Sequence, residues 1–347
     1  MMLLVLFSLL LGCRSIEIDT LPENRSTKGS SSQIGVSLGL FASDPLWNYE
    51  PLIIEISELG VEQLLIAIPL KQSSDKDNNP ILGVPLEVLH RTIKQAQNSK
   101  LKITLMPIVL LEERQMNTWR GKLAPSNPDL WWRNYNSELK RIGFLAQNLQ
   151  LERLIVGTEL CSLEKSSSRW KSLILELRKI YDGQLTYSAN WDHYEAISFW
   201  EDLDEISLTA YFPIDSTHSI EDDWQKFLSE AEEYALTKQR PLLITEYGYP
   251  SLSSALREPW NETVKASSDQ ELQAVLVERS TKLLLDEIAK NKRLGVQQAF
   301  LWNWFGKGGD SDHGYTLRGK LGEARFRRLI LNNKHQNAND SPTHSTP

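Results

Sequence analysis

The sequence is poor in cysteine and in the motifs that cysteine and histidine build together. Its 347 residues hold two cysteines, Cys13 and Cys161, and six scattered histidines, with neither an HExxH nor a CxxC spacing. No metal site is recognisable from that pattern and no cofactor is implied. Positive charge is not in excess either. A net charge of -7 and a pI near 5.5 argue against a protein that neutralises phosphates along nucleic acid. No glycine-rich phosphate loop follows the first strand-like run, so a doubly wound nucleotide-binding sheet has no anchor in the sequence. Gly306-Lys307-Gly308-Gly309 is a weak look-alike that precedes no capped helix, and it reads as a flexible loop. There is no internal repeat of short period. The apolar run at residues 3–11, broken only by Ser8, is too short to span a bilayer as a typical helix.

What that run does have is the length of a signal-peptide core. Gly12-Cys13 follows at once, and Leu10-Leu11-Gly12-Cys13 resembles a bacterial lipobox. The resemblance implies that Cys13 is lipidated and becomes the mature N-terminus, which leaves Cys161 without an intramolecular disulfide partner. A positive segment ahead of the run is missing, since only Met1 and Met2 precede it. A plain cleaved signal is the alternative. Residues 14–33 are polar and without periodicity, as a flexible tether between lipid and domain would be. The expected location is the bacterial cell envelope, at the outer membrane or facing the periplasm if the host is Gram-negative. The chain is expected to work as a monomer.

From residue 34 onward, short apolar runs alternate with helical periods. Strands are predicted at residues 34–42, 61–70, 101–111, 151–160, 185–190, 205–212, 242–248 and 296–305. Helices are predicted at 46–59, 84–99, 128–149, 168–181, 220–236, in the stretch after Ser267 or Ser268 as cap, and at 323–331. Residues 332–347 read as a disordered tail. Eight strands alternating with helices over some 300 residues have the count and length of an α/β fold of the (β/α)8 barrel type, in one domain over residues 34–331.

Two of the strands end on a carboxylate. Leu242-Leu243-Ile244-Thr245-Glu246-Tyr247-Gly248 and Leu154-Ile155-Val156-Gly157-Thr158-Glu159 both carry an apolar run into a glutamate. The C-terminal ends of barrel strands are where chemistry is done. Glu159 after strand four and Glu246 at the end of strand seven therefore point into one mouth. Two carboxyl groups facing across a cleft suit glycoside hydrolysis, one protonating the leaving oxygen while the other meets the anomeric carbon. Eleven Trp and ten Tyr suit a sugar-binding cleft, although Trp is also ordinary core material.

The pattern resembles the glycoside hydrolase clan A superfamily, and within it family 113, typified by endo-β-1,4-mannanases. The stretches that carry the resemblance are Trp119-Arg120-Gly121, Val156-Gly157-Thr158-Glu159-Leu160, Ser188-Ala189-Asn190-Trp191, Tyr211-Phe212-Pro213, Thr245-Glu246-Tyr247-Gly248-Tyr249, Trp302-Asn303-Trp304 and the closing Gly319-Lys320-Leu321-Gly322-Glu323. The resemblance implies that Glu159 is the acid/base and Glu246 the nucleophile of a retaining, β-mannanase-like enzyme. It also implies that Tyr211 reaches toward the nucleophile and that Trp302 floors the sugar site. Trp119, Asn190 and Trp191 are further candidates for substrate contact, on an oligo- or polysaccharide. One position departs from the family: the clan commonly has Asn before its acid/base, and here Thr158 stands there. Its contact with the sugar would be weaker, or supplied by Asn190. A non-catalytic carbohydrate-binding lipoprotein on the same barrel is the alternative. Asp310, Asp312 and His313 could line a subsite, but they read better as a solvated loop.

Overall fold

The computed structural model describes residues 33–113 and 118–339. Cys13, the apolar run before it and all of the tether except Gln33 lie outside the described residues. Eight parallel strands make up the barrel: Ile34–Gly39, Gln63–Gln72, Lys102–Leu111, Arg153–Thr158, Gln184–Ala189, Ile206–Thr209, Leu242–Tyr247 and Val296–Leu301, numbered one to eight below. Each pairs with its sequence neighbours. Strand one closes the ring, because Val36 pairs with Leu64 of strand two on one side and Leu301 of strand eight on the other. The expected (β/α)8 barrel is the observed one.

The strands read as unbroken apolar runs because both of their faces are buried. On strand two, Leu64, Ile66 and Ile68 join the outer core beneath the helices. Leu65 and Ala67, pointing the other way, join an inner cluster with Met106, Ile155, Leu243 and Phe300. The outer layer is supplied by helices Glu50–Glu58, Leu86–Asn98, Pro128–Asn148, Ser167–Arg178, Ile220–Lys238, Gln270–Ala289 and Leu321–Asn339. Their buried residues keep helical spacing, as Tyr135, Leu139, Ile142 and Ala146 do on the third. Five of the eleven tryptophans belong to this packing and not to a sugar site: Trp131, Trp170, Trp200, Trp224 and Trp304 are fully buried.

The structure differs from the sequence reading in places. Between strands five and six the outer layer is covered by two 3-10 turns, Tyr194–Ala196 and Trp200–Asp202. Between strand two and the next helix, Ile81–Leu82 folds back antiparallel onto Leu70 and Lys71. The helix at Gln270–Ala289 is capped by Asp269, whose side chain accepts from the Leu272 N–H at 2.9 Å, and not by Ser267 or Ser268. A one-residue shift suffices, since Asp is as good a cap as Ser. The last helix runs on to Asn339, through residues expected in a tail. Lys334 pairs with Glu62 at 2.7 Å, so the polar face of that helix is held against the loop that enters strand two.

The N-terminal end of the barrel is plugged by one ion-paired network. Arg153, 4% exposed, sends its guanidinium across the interior from the start of strand four. It meets Glu205 at 2.6 and 2.9 Å, Gln298 of strand eight at 2.7 Å, Thr104 of strand three at 3.1 Å and Gln184 of strand five at 3.0 Å. Polar residues at that end of a barrel serve stability.

Candidate active site

At the opposite end, strand four breaks its regular pairing just before its glutamate. Its register with strand five shifts between Ile155 and Thr158. Glu159 then takes φ +50, a left-handed conformation that costs an ordinary residue on the order of 1 kcal/mol. The turn is fixed by the Glu159 N–H, which donates to the Ser188 carbonyl at 2.9 Å. Beneath it, Gly157 lets three aromatic rings close on the strand: a Cβ there would meet Trp170 at 2.8 Å, the Tyr135 hydroxyl at 3.0 Å and Tyr187 at 3.1 Å. The Val-Gly-Thr-Glu motif is thus a packing rule followed by a re-aimed carboxylate.

Strand seven behaves alike. Its register with strand six shifts as Thr209 pairs with Glu246, and such irregularities are common beside active sites, where they re-aim side chains. Gly248 follows because the backbone carbonyl of Trp302 would lie 2.4 Å from a Cβ at that position.

Both glutamates are buried, Glu159 at 6% and Glu246 at 1% exposure, and each is held by its own partners. Arg120 Nη2 donates to Glu159 Oε2 at 2.7 Å, and Thr209 Oγ1 donates to Glu159 Oε1 at 2.8 Å. The Tyr211 hydroxyl donates to Glu246 Oε2 at 2.9 Å. Glu246 Oε1 has no hydrogen-bond partner among the described residues. Burial pushes the Glu246 carboxyl up to about 8. The charge of Glu159 pushes the same way, while Arg120 and the Tyr211 hydrogen bond pull it down. Burial opposes the charge of Arg120, but Glu159 and Glu246 outweigh it and hold the guanidinium protonated. Burial, and then the Glu246 carboxylate, raise Tyr211 well above the usual phenol range, so it remains a donor. The Tyr211 hydrogen bond does lower the Glu246 carboxyl, but burial and the second carboxylate prevail.

The remaining candidates fall around this pair. Trp302, 9% exposed, sits in the inner cluster with Tyr211 and Tyr315, its ring 6.2 Å from that of Phe41. It is packed as core at the mouth end of the barrel. Trp191 is half-buried and meets Phe212 edge-on at 6.4 Å. Asn190 uses its Oδ1 on the Trp191 N–H at 2.9 Å. Thr158 is 1% exposed, and its hydroxyl has no partner among the described residues. Trp119 is half-buried, and its indole lies where a Cβ on Gly121 would be, 2.3 Å away. That accounts for Gly121, and it leaves Arg120 to reach Glu159. Asp310 and His313 are exposed, as in the solvated loop the sequence suggested, whereas Asp312 is half-buried. It accepts the Gly308 and Gly314 N–H groups at 2.8 and 2.9 Å and lies 3.4 Å from the Lys320 ammonium, so it folds the loop after strand eight.

Sequence reasoning passed over Arg120 and Thr209 as site residues. Arg120 lies in a quoted motif and was the one charged residue in it, which is the signal that could have found it. Thr209, inside an apolar strand, gave none.

The model of Glycoside Hydrolase Family 113 matches residues 83–320. A search of curated proteins finds no match. Among solved structures, a GH113 β-mannanase from Alicyclobacillus acidocaldarius superposes with a TM-score of 0.73 at 22% identity, over 86% of this chain and 97% of that one. A second GH113 β-1,4-mannanase gives 0.72 at 21% identity over 86% and 98%. An endo-β-1,4-mannanase from Thermotoga petrophila gives 0.57 at 13% identity over 89% and 78%. At these identities the superpositions speak for the barrel.

Proposed function

The chain belongs to glycoside hydrolase family 113, and on that premise we propose that it is a retaining glycosidase of β-linked glycans, with a mannan-like oligo- or polysaccharide as first candidate. The observation that carries the reading is the pair of buried strand-end glutamates, each fixed by a separate donor. Glu246 attacks the anomeric carbon as the glycosidic bond breaks, and Glu159 gives its proton to the leaving oxygen. Water, deprotonated by Glu159, then displaces Glu246 from the glycosyl-enzyme, so the β configuration returns. Tyr211 occupies Glu246 Oε2 and leaves the lone pairs of Oε1 for the attack.

A nucleophile must be ionised to attack, and burial works against that at Glu246. In the free protein Glu246 holds its proton more tightly than an ordinary carboxyl. The proposed roles therefore need the proton to pass to Glu159 once substrate is bound. Positive charge developing on the sugar beside Glu246 favours that transfer. The same observation supports a second reading with the roles exchanged, Glu159 attacking and Glu246 donating.

Hydrolysis of a panel of aryl glycosides and polysaccharides tests the activity. Turnover of β-mannosidic substrates is expected; binding without turnover of any of them would leave a carbohydrate-binding protein. We also propose that the chain acts as a monomer, since one copy carries both carboxylates, and that Cys13 anchors it by lipid at the cell envelope, on the strength of the Leu10-Leu11-Gly12-Cys13 stretch. Cys13→Ser should move the protein from the membrane to the soluble fraction. Wild-type protein that is wholly soluble, with no acyl mass, would contradict the anchor.

A further inference from the structure

Just beyond Glu159, a second set of chemically active side chains converges that the hydrolytic reading does not use. Cys161 opens a short helical turn, Cys161–Glu164, and Glu164 closes it. His193 comes from the loop after strand five. One ligand atom from each lies within 4.8 Å of the others. We propose that Cys161, Glu164 and His193 form a binding site for a zinc-class divalent cation, with three protein ligands and a fourth position open to solvent.

Three features of the site support this. The donors are one sulfur, one imidazole nitrogen and one carboxylate oxygen, a mixture that suits zinc and poorly suits magnesium or calcium, which prefer oxygen alone. The His193 Nδ1 to Glu164 Oε2 distance is 3.6 Å. Donors on a tetrahedral zinc ion stand about that far apart, given bonds of about 2.0–2.3 Å. His193 is 47% exposed in its side chain and free to swing the remaining distance toward the sulfur. The carboxylate is also oriented from behind. The Leu160 N–H donates to the Tyr187 hydroxyl at 2.8 Å, and that hydroxyl donates to Glu164 Oε1 at 2.9 Å. Oε2 is left toward His193, and such outer partners typically fix a ligating carboxylate. Glu164 is 4% exposed, yet among the described residues no lysine or arginine lies in salt-bridge range of it. A buried carboxylate in that position is commonly matched by a cation.

Binding balances simply. The Cys161 thiol, now 3.8 Å from the Glu159 carbonyl oxygen, loses its proton to solvent as the sulfur–metal bond forms. The ion would tie the segment that leaves Glu159 to the one that leaves Asn190 and Trp191, across two walls of the mouth.

Cobalt(II) added to the reduced full-length protein reads the site without any assay of hydrolysis, because thiolate ligation gives a near-ultraviolet charge-transfer band. The band is expected at one equivalent and should disappear on addition of zinc. Cys161→Ser should abolish it although Cys13 remains. His193→Ala, at an exposed position that folding does not need, should weaken binding by at least about tenfold, and Tyr187→Phe by about tenfold. At the same zinc concentration the thermal midpoint should rise more in the wild type than in His193→Ala. No thiolate band, a band that survives Cys161→Ser, or equal affinity in wild type and His193→Ala would each overturn the proposal.

Discussion

At the scale of single residues, Glu246 concentrates the tension of the site. A carboxyl raised from 4.5 to about 8 by burial and by Glu159 keeps its proton in the folded protein over a range where the unfolded chain has released it. Its contribution to stability is therefore fully present below 4.5 and is lost as pH rises through about 8, with a slope of at most about 1.4 kcal/mol per pH unit. Glu246→Gln removes that titration while keeping an acceptor for Tyr211. Urea unfolding should find the variant more stable than wild type at pH 8 and little different at pH 4.5; an equal difference at both would contradict the buried charge. Arg120 acts in the opposite sense, since its charge lowers the proton affinity of Glu246. Arg120→Met should move the pH profile of kcat/KM to higher pH and lower its maximum roughly 10- to 100-fold. An unmoved profile would mean that Arg120 only packs. These two effects were not legible in the sequence. The glutamates announced themselves by interrupting apolar strands, but nothing in a linear chain says that Arg120, 39 positions before Glu159, will stand against it.

At the scale of elements, the strands were legible because burial on both faces leaves a continuous apolar run, and the helices because one face alone is buried. What escaped notice depends on partners distant in the chain. Arg153 and Gln298 lie near the starts of two strands 145 positions apart in the chain, with nothing local to link them, yet they meet 2.7 Å apart across the barrel floor. Ile81–Leu82 falls in no predicted element because a two-residue strand has no period. The end of the last helix was missed because polar residues carry it on, among them Lys334, which pairs with Glu62 in another loop. The floor network makes a prediction that does not involve the mouth. Arg153→Met leaves Glu205, 3% exposed, as a buried charge without its cation, and should cost about 3–5 kcal/mol of unfolding free energy. Arg153→Met with Glu205→Leu, which removes both charges, should recover much of that loss. Equal loss in the single and double variants would mean that volume, and not charge, holds the floor.

At the scale of the whole molecule, the barrel puts stability at one end and chemistry at the other. The C-terminal end collects Arg120, Glu159, Tyr211, Glu246 and Trp302 from five different segments. The central claim is that Glu246 is the nucleophile and Glu159 the acid/base, although the resting proton favours Glu246. Chemical rescue by azide decides it, read on a dinitrophenyl β-glycoside with the product's anomeric configuration determined by NMR. Glu159→Ala should still form the glycosyl-enzyme, because that leaving group needs little protonation, and azide should release it as the β-glycosyl azide. Glu246→Ala should be inactive alone and give the α-glycosyl azide, since azide then enters the emptied face. A β-azide from Glu246→Ala together with an α-azide from Glu159→Ala would contradict the account and exchange the two roles.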